Sequence, residues 1–421
     1  MKRGNRGQVL VLLAISILVL LGMVALAVDL GYLWSVRHEL QRCADAGALA
    51  GASRFIPPDT GDWADTTVQA EAEARARDFA SRDKVATSTL KPAPADNEII
   101  VTIDSADPGV DRIKVRTQRV MPLFFARVFG RQSQLVYAEA VAEAATLTKN
   151  VRCLVPWAVS LPWSNFDPEL VEQGRDPKYV FDNSDVVHTL AESEAYCAQQ
   201  NLGVTAYDVA THQIIGEPSE RDNYLCQGSL RILKTALPGE TMQPGWFSPL
   251  DFSSLLVNCP DDAPVDQGAN LYRYLIMDPC ACGTKISLND PLFQIPQEKG
   301  NMVGPTIQGV APEGEGGWDG SIMDDDPGAY WDTDSNSPVS GKYFGDNTYK
   351  SPRIIRVPLY DPSQGLLKKS VDPVNIVGFW VEDISEHQGT VTGRFVTVPG
   401  LGEDGGGEGE GSTVKMLRLV K

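Results

Sequence analysis

The feature that most constrains this chain is an uncharged apolar stretch close to its start. Residues Gly7 to Val28 read GQVLVLLAISILVLLGMVALAV, in which Gln8 and Ser16 are the polar side chains. At the rise of an α-helix these 22 residues cover about 33 Å, close to the hydrocarbon thickness of a bilayer. A helix buried in a soluble domain would carry a polar stripe. The stretch therefore predicts a transmembrane helix over residues 8–28.

The charges on either side of this stretch predict its orientation. Lys2, Arg3 and Arg6 precede it, and Asp29 follows it. Because basic flanks stay on the cytoplasmic side of a membrane, residues 1–7 are expected in the cytoplasm. The sequence thus predicts a single-pass protein of the cytoplasmic (inner) membrane with the bulk of the chain extracytoplasmic.

Two alternatives to a retained anchor stay open. The small-x-small sequence Ala25-Leu26-Ala27 could be cleaved as the end of a secretory signal peptide. The basic leader that ends in Gly7 resembles a prepilin cleavage site. Pilins carry Glu at the fifth position of the mature chain, however, and Leu12 stands there in this sequence.

The predicted helix continues beyond the membrane. Between residues 29 and 55 the sequence contains no Pro, and apolar side chains recur every three or four positions, which predicts one helix from Val9 to Arg54. Small residues on this extension form a face that another helix could approach closely. The helix-packing face consists of Ala44, Gly47, Ala48 and Gly51. Packing on the chain's own domain and packing on another subunit stay open.

This arrangement resembles a known family. The order of apolar span, Asp-x-Gly step and the run DAGALAGA is similar to the N-terminal region of Flp (tight adherence) pilus-assembly TadE/TadG-like proteins. Three later stretches resemble the extracytoplasmic part of longer family members. These are GNMVGPTIQGV (300–310), SPRIIRVPLYD (351–361) and VNIVGFWVEDI (374–384).

The resemblance implies a role and partners. It implies a membrane-anchored component of the tight-adherence pilus system, a relative of type IV pili and type II secretion. The implied partners are the membrane and other pilin-like or Tad secretion-platform proteins, and they could include further copies of this chain. The protein could then also be associated with the pilus at the cell surface.

Residues 29–149 are expected to form the helix extension and a pilin-like α+β unit. The Ala, Glu and Arg content of Val68–Lys84 predicts a surface helix. Alternating apolar and polar positions predict strands over Glu98–Ile103 and Arg112–Val120. Leu135–Ala145 is compatible with a strand or a helix.

The chain changes character after this unit. Residues 150–400 are rich in Pro, Gly and aromatic residues, with short apolar runs and almost no helical periodicity, which predicts a β-rich extracytoplasmic domain. Residues 401–412 read as a Gly/Glu linker, and 413–421 as a C-terminal strand. The predicted fold class is α+β, with a disulfide-braced second domain.

The disulfide prediction rests on the cysteine count. Six of the seven cysteines lie in the second domain, and an even set in an oxidising compartment favours disulfides over a metal site. The disulfide candidates are Cys153, Cys197, Cys226, Cys259, Cys280 and Cys282. Cys280 and Cys282 should have different partners, because residues one apart in an extended chain point to opposite faces. Cys43 is either a buried packing residue or an intermolecular link.

The composition argues against binding to nucleic acid and against a metal centre. The chain has 37 Lys and Arg against 55 Asp and Glu, a formal net charge of −18, which disfavours binding to nucleic acid. The four histidines are far apart, so neither a metal centre nor another cofactor is predicted. An acidic stretch offers weak calcium candidates, although a solvated acidic loop explains it as well. Those candidates are Asp324, Asp326, Asp332 and Asp334.

The sequence favours a structural function. We expect no catalytic site and therefore a non-enzymatic component of Flp/Tad pilus assembly, either a minor pilin-like subunit or an assembly factor that supports adherence. The alternative is a cell-surface adhesin or glycan-binding module whose anchor is incidental. An extracytoplasmic hydrolase is the least favoured hypothesis.

Overall fold

The computed structural model of the chain describes most, but not all, of its residues. Side chains are described for the residues given below except 6–11, 66–67, 104, 111, 246, 330–332, 342–344, 364, 399 and 403–404. The described residues are 6–56, 66–104, 111–164, 181, 185–189, 192–193, 196–197, 204–216, 224–226, 228–235, 246–261, 263–264, 268–295, 302–312, 321–323, 330–332, 342–344, 351–364, 370–385, 389–400, 403–404 and 414–420.

The chain divides into two compact units. The first unit comprises residues 1–55, 64–143 and 417–421, and the second comprises residues 56–63 and 144–416. The first unit contains the two longest helices, α1 (Arg6–Ala52) and α2 (Thr66–Ala80). The described part of the second unit includes the short helices α3 (Ala269–Met277) and α4 (Val303–Val310).

Twenty-four strands are described, many of them only two or three residues long. In chain order they are β1 (Lys84–Val85), β2 (Ser88–Thr89), β3 (Ile99–Asp104), β4 (Asp111–Pro122), β5 (Ser133–Lys149), β6 (Val151–Arg152), β7 (Trp157–Ser160), β8 (Trp163–Ser164), β9 (Val186–Val187), β10 (Ala206–Asp208), β11 (Gln213–Ile215), β12 (Leu230–Thr235), β13 (Trp246–Pro249), β14 (Lys285–Ile286), β15 (Leu292–Phe293), β16 (Tyr330–Asp332), β17 (Lys342–Phe344), β18 (Ile354–Tyr360), β19 (Ser370–Val371), β20 (Pro373–Ser385), β21 (Thr390–Val396), β22 (Val398–Pro399), β23 (Glu403–Asp404) and β24 (Val414–Val420).

The first unit packs its two helices on a sheet. Strands β24, β5, β4 and β3 are neighbours in that order, and β3 and β4 form an antiparallel pair with Ile99 opposite Thr117. Ile113, Val115 and Thr117 alternate along β4, and all three are fully buried. This is the period of two expected for a strand with one covered face. The sequence predicted the helix α2 and both strands, and β5 shows that the undecided stretch is a strand.

The second unit is built on a closed six-stranded barrel. Its strands follow the order β12-β13-β7-β18-β20-β21, and β21 pairs again with β12. Alternate residues of β20 belong to two separate hydrophobic clusters, with Val377 and Phe379 in one and Ile376 and Trp380 in the other. Both faces of β20 are therefore buried, which explains why its sequence is apolar without alternation.

The helices α3 and α4 were not predicted. In α3 the buried residues are Leu271, Tyr272, Leu275 and Ile276, which is a helical spacing. The helix α4 approaches α3 closely, since a Cβ atom on Gly309 would lie 2.8 Å from Cγ2 of Ile276. Helices of eight or nine residues are too short to give a clear periodic signal.

Three disulfides link residues of the second unit, as the fold prediction required. They join Cys153 to Cys280, Cys197 to Cys226, and Cys259 to Cys282. Cys280 and Cys282 therefore have different partners. Within the predicted Gly/Glu linker, Glu403 and Asp404 form a strand that pairs with the end of β5, a contact that the composition gave no reason to expect.

Candidate membrane-anchoring site

The N-terminal part of α1 carries apolar side chains that the chain leaves uncovered. Its large apolar residues between Leu12 and Leu30 are 48–69% exposed. Of the helices that the structure describes, α1 is the one that is long and apolar enough to cross a membrane, and 6% of its most apolar 18-residue window is buried. A surface of this kind is stable in lipid rather than in water, so α1 anchors the protein in a membrane.

The polar side chain described within this apolar stretch is satisfied locally. The hydroxyl of Ser16 donates a hydrogen bond of 2.8 Å to the backbone carbonyl of Leu12, one turn earlier. This bond removes the need for a water partner, because an unsatisfied hydroxyl is costly in hydrocarbon. Ser16 is thus compatible with a lipid environment.

Asp29 ends the apolar stretch and binds a loop far away in sequence. One carboxylate oxygen accepts a 2.9 Å hydrogen bond from the backbone N–H of Phe124, and the other accepts bonds of 2.9 and 2.7 Å from Phe125 and Ala126. Asp29 is 4% exposed. A carboxylate in this position complements the free N–H groups at the start of the short 3-10 helix Ala126–Phe129. We call this arrangement the Asp29 clamp.

The clamp holds the loop between β4 and β5 beside α1. The ring of Phe124 packs edge-on against Tyr32, with 5.3 Å between the ring centroids. Further along the loop, Phe129 borders an apolar groove of about 470 Å³ together with residues of the membrane-spanning stretch. The helix residues along this groove are Ile15, Leu18, Val19, Gly22, Met23 and Leu26.

The predicted helix-packing face is buried, and its two glycines lie against the chain's own second helix. Ala44 and Ala48 are fully buried. A Cβ atom on Gly47 would lie 2.9 Å from the carbonyl oxygen of Ala76, and one on Gly51 would lie 3.1 Å from that of Ala72. Gly47 and Gly51 therefore lie close to α2 within the chain, and the packing role of the four-residue face stays a prediction.

Cys43 lies on the same buried face of α1. Its side chain is fully buried and forms no disulfide. Burial, with a smaller contribution from Asp83, raises the pKa of its thiol to about 11. A thiol that is neutral at physiological pH and inaccessible is unreactive, so the structure favours the packing role of Cys43 over an intermolecular link.

A buried carboxylate in the first unit was not predicted. Glu143 on β5 is fully buried and pairs with two arginines. Nε of Arg112 lies 2.7 Å from its carboxylate, and the guanidinium of Arg418 on β24 pairs with the other carboxylate oxygen. These residues are separated by 31 and 275 positions in sequence, so no local pattern could have connected them.

The calcium candidates lie mostly outside the described residues. This applies to Asp324, Asp326 and Asp334, whereas Asp332 is described as a backbone position of β16. In the described part of the chain, no group of three or more His, Cys, Asp or Glu side chains is arranged to hold a metal ion.

Two histidines of the second unit form polar pairs. Nε2 of His188 lies 2.9 Å from the hydroxyl of Ser164, and Nδ1 of His212 lies 2.6 Å from the carboxylate of Asp383. A serine hydrolase needs one histidine between the serine and the acid. Here the serine and the acid contact different histidines, and the Asp383 carboxylate also accepts a 2.8 Å hydrogen bond from Tyr207.

Comparison with protein families finds two matches, and they cover most of the first unit. Residues 7–54 match the Tad model, described as Flp pilus-assembly TadE/G-like, and residues 50–142 match the Tad_C model, described as Tad-like Flp pilus-assembly. These residues are about a third of the chain, and the three later stretches that resemble family members lie outside them. No curated protein and no solved structure matches the chain significantly. Residues 7–142, which contain nearly all of α1, α2, β3, β4 and most of β5, are therefore similar to TadE/G-like Flp pilus-assembly proteins.

Proposed function

We propose that this protein is a non-enzymatic component of Flp pilus assembly, a minor pilin-like subunit or an assembly factor. In this proposal α1 holds it in the cytoplasmic membrane and the second unit lies outside the cytoplasm. The observation that carries the proposal is the continuity of α1. One helix forms the uncovered apolar span, the Asp29 clamp and the face that packs on α2, over the residues that match the two pilus-assembly models.

The disulfides support the proposed orientation. Three disulfides in the second unit require an oxidising compartment, because cytoplasmic reductants keep thiols reduced. This argument is independent of Lys2, Arg3 and Arg6, whose charges favour the same orientation. The partners that we propose are other pilin-like or secretion-platform proteins in the same membrane.

The orientation can be tested by counting free thiols. The full-length protein is denatured straight from cells in the presence of a maleimide and then analysed by mass. We expect one modified thiol per chain, Cys43, because the other six cysteines are paired. Modification of all seven cysteines would place the second unit in the cytoplasm and overturn the proposed orientation.

The role in pilus assembly can be tested by fractionation and complementation. Sheared surface filaments and washed membranes are probed with an antibody to the second unit in a strain that lacks the gene and carries it on a plasmid. Protein in the filaments would identify a minor subunit, and protein in the membranes alone would identify an assembly factor. Unchanged piliation without the gene would contradict both.

Membrane anchoring itself can be tested with two variants at position 18. Leu18 is 69% exposed in the middle of the apolar stretch, so Leu18→Arg places a charge in the hydrocarbon core at a cost of about 3 kcal/mol. Leu18→Phe keeps the position apolar. We expect the first variant to lose piliation and membrane retention, and the second to retain both.

A further inference from the structure

The loop between β4 and β5 exposes an unusual concentration of large apolar side chains. Within six consecutive residues, the exposed fractions are 56% for Phe124, 45% for Phe125, 85% for Val128 and 73% for Phe129. Single exposed apolar residues are common on protein surfaces, but a contiguous group of this size marks an interaction site. The remaining question is what covers it.

The position of the loop along α1 indicates which environment these exposed side chains face. Phe129 borders the apolar groove together with Leu18, Gly22 and Leu26, which belong to the membrane-spanning stretch. A side chain that borders the same groove as these residues lies at the depth of the hydrocarbon. The Asp29 clamp fixes this position, since three consecutive backbone N–H groups of the loop donate to one carboxylate on α1.

Most backbone N–H groups of the loop have hydrogen-bond partners, which is compatible with an environment without water. Besides the three N–H groups bound to Asp29, four others donate to carbonyl oxygens within 3.2 Å. They belong to Leu123, Val128, Gly130 and Arg131, and their acceptors are Gln132, Phe125, Arg127 and Ala126, respectively. Turns in water form such bonds too, but in hydrocarbon each unsatisfied group would cost several kcal/mol.

The charged residues of the loop fit the same environment. Arg127 and Arg131 are exposed on either side of Val128 and Phe129. Long basic side chains beside apolar ones extend from the hydrocarbon edge to lipid phosphates. From the exposed apolar residues, the depth of Phe129 beside α1, the hydrogen bonds to Asp29 and the flanking arginines, we propose that the β4–β5 loop inserts into the bilayer leaflet next to Asp29 as a second membrane contact.

The proposal rests on the membrane anchoring proposed above, and one experiment separates the two. The full-length protein is reconstituted into phosphatidylcholine–phosphatidylglycerol vesicles with the photoreactive residue p-benzoylphenylalanine at one position at a time. The tested positions are Val128 and Phe129. The positive control is Leu18, within the apolar stretch. The negative control is Ala74, an exposed residue of α2. The helix α2 itself packs on α1 near Gly51.

We expect irradiation to add the mass of a phospholipid at positions 18, 128 and 129 but not at position 74. A lipid adduct at 18 without one at 128 and 129 would overturn the loop proposal and leave the anchor intact. Absence of the adduct at 18 would overturn both. Adducts at 128 and 129 that join only to a second copy of the chain would instead identify the loop as a protein contact and would also overturn insertion into lipid.

Discussion

Gly51 on α1 and Ile113 on β4 are so close that no side chain fits between them. A Cβ atom on Gly51 would lie 2.5 Å from Cδ1 of Ile113 and 3.0 Å from Cβ of Ala76. Ile113 and Ala76 are fully buried, so neither can move into solvent. The close contact of α1 with α2 and the sheet therefore depends on the absence of a side chain at position 51.

The first prediction follows from this contact. Gly51→Ala should destabilise the first unit by about 1–3 kcal/mol through overpacking, although alanine favours the helix. Gly31→Ala is the matched control on the same helix, because nothing lies within 4 Å of its added Cβ. Pulse proteolysis of the detergent-solubilised protein measures the free energy of unfolding of both variants. Equal stability of the two variants would contradict the proposed packing, and Ile113→Val should partly rescue Gly51→Ala.

The second prediction concerns the Asp29 clamp. Asp29→Asn leaves one carbonyl oxygen where two carboxylate oxygens accept three N–H groups. We expect faster hydrogen exchange at the amides of Phe124, Phe125 and Ala126, and less phospholipid adduct at position 129. Asp45→Asn is the control, because Asp45 accepts a bond from Gln41 on the same helix and does not contact the loop. Exchange rates unchanged by Asp29→Asn would argue against a clamp.

The third prediction concerns the buried carboxylate of Glu143. Its side chain is fully buried, whereas those of Arg112 and Arg418 are 34% and 39% exposed. Loss of both arginines would leave a buried charge without a partner, which typically costs about 3–5 kcal/mol. Glu143→Gln should cost less, since the arginines that remain can be hydrated. Denaturant unfolding of the double arginine variant and of Glu143→Gln gives the comparison, and a larger loss for Glu143→Gln would refute this explanation.

The fourth prediction is a pH dependence at Glu98. Burial raises the pKa of Glu98, but hydrogen bonds from the Arg119 side chain and the Lys91 backbone lower it more, so the pKa lies below its ordinary value of 4.5. The ionised form is therefore favoured by folding, and its contribution is present above about pH 4.5 and lost as the pH falls through the folded-state pKa. Glu98→Gln should flatten the fall in unfolding free energy below pH 4.5. If Glu98→Gln left the pH profile unchanged, the hydrogen bonds of Glu98 would not be the cause of this fall in unfolding free energy.

The fifth prediction compares two disulfides. Cys153 and Cys280 are 127 positions apart, and Cys259 and Cys282 are 23 apart. A longer closed loop restricts the unfolded chain more, which predicts losses of about 5 and about 3.5 kcal/mol when the pairs are replaced by alanines. Thermal unfolding of the two double variants gives the order. The opposite order would show that native contacts outweigh chain entropy here.

Much of the first unit could be predicted because its signals are local. The uncharged stretch up to Val28, the Ala-rich helix α2 and the alternation in β3 and β4 each lie within one short window of sequence. The Ala-rich strand β5 stayed undecided because alanine fits both a helix and a strand, and the sheet neighbours that settle it are distant in sequence.

The contacts that define the candidate site could not be predicted in this way. The sequence showed Asp29 as the end of the apolar stretch, but its hydrogen-bond partners are 95 to 97 residues away. The small residues Gly47 and Gly51 indicated a close helix contact, and the sequence did not say whether the partner was α2 or another subunit. In both cases the missing information is the tertiary arrangement rather than the residue type.

The closed barrel of the second unit limits how copies of this protein could be joined. A strand at an open sheet edge offers unpaired backbone groups to a strand from a neighbour, and some filaments are built by such strand donation. Each of the strands β7, β12, β13, β18, β20 and β21 has a neighbour on both sides. The barrel therefore has no vacant edge to offer, and strand donation between copies would have to use another sheet, such as the one in the first unit that ends at β3.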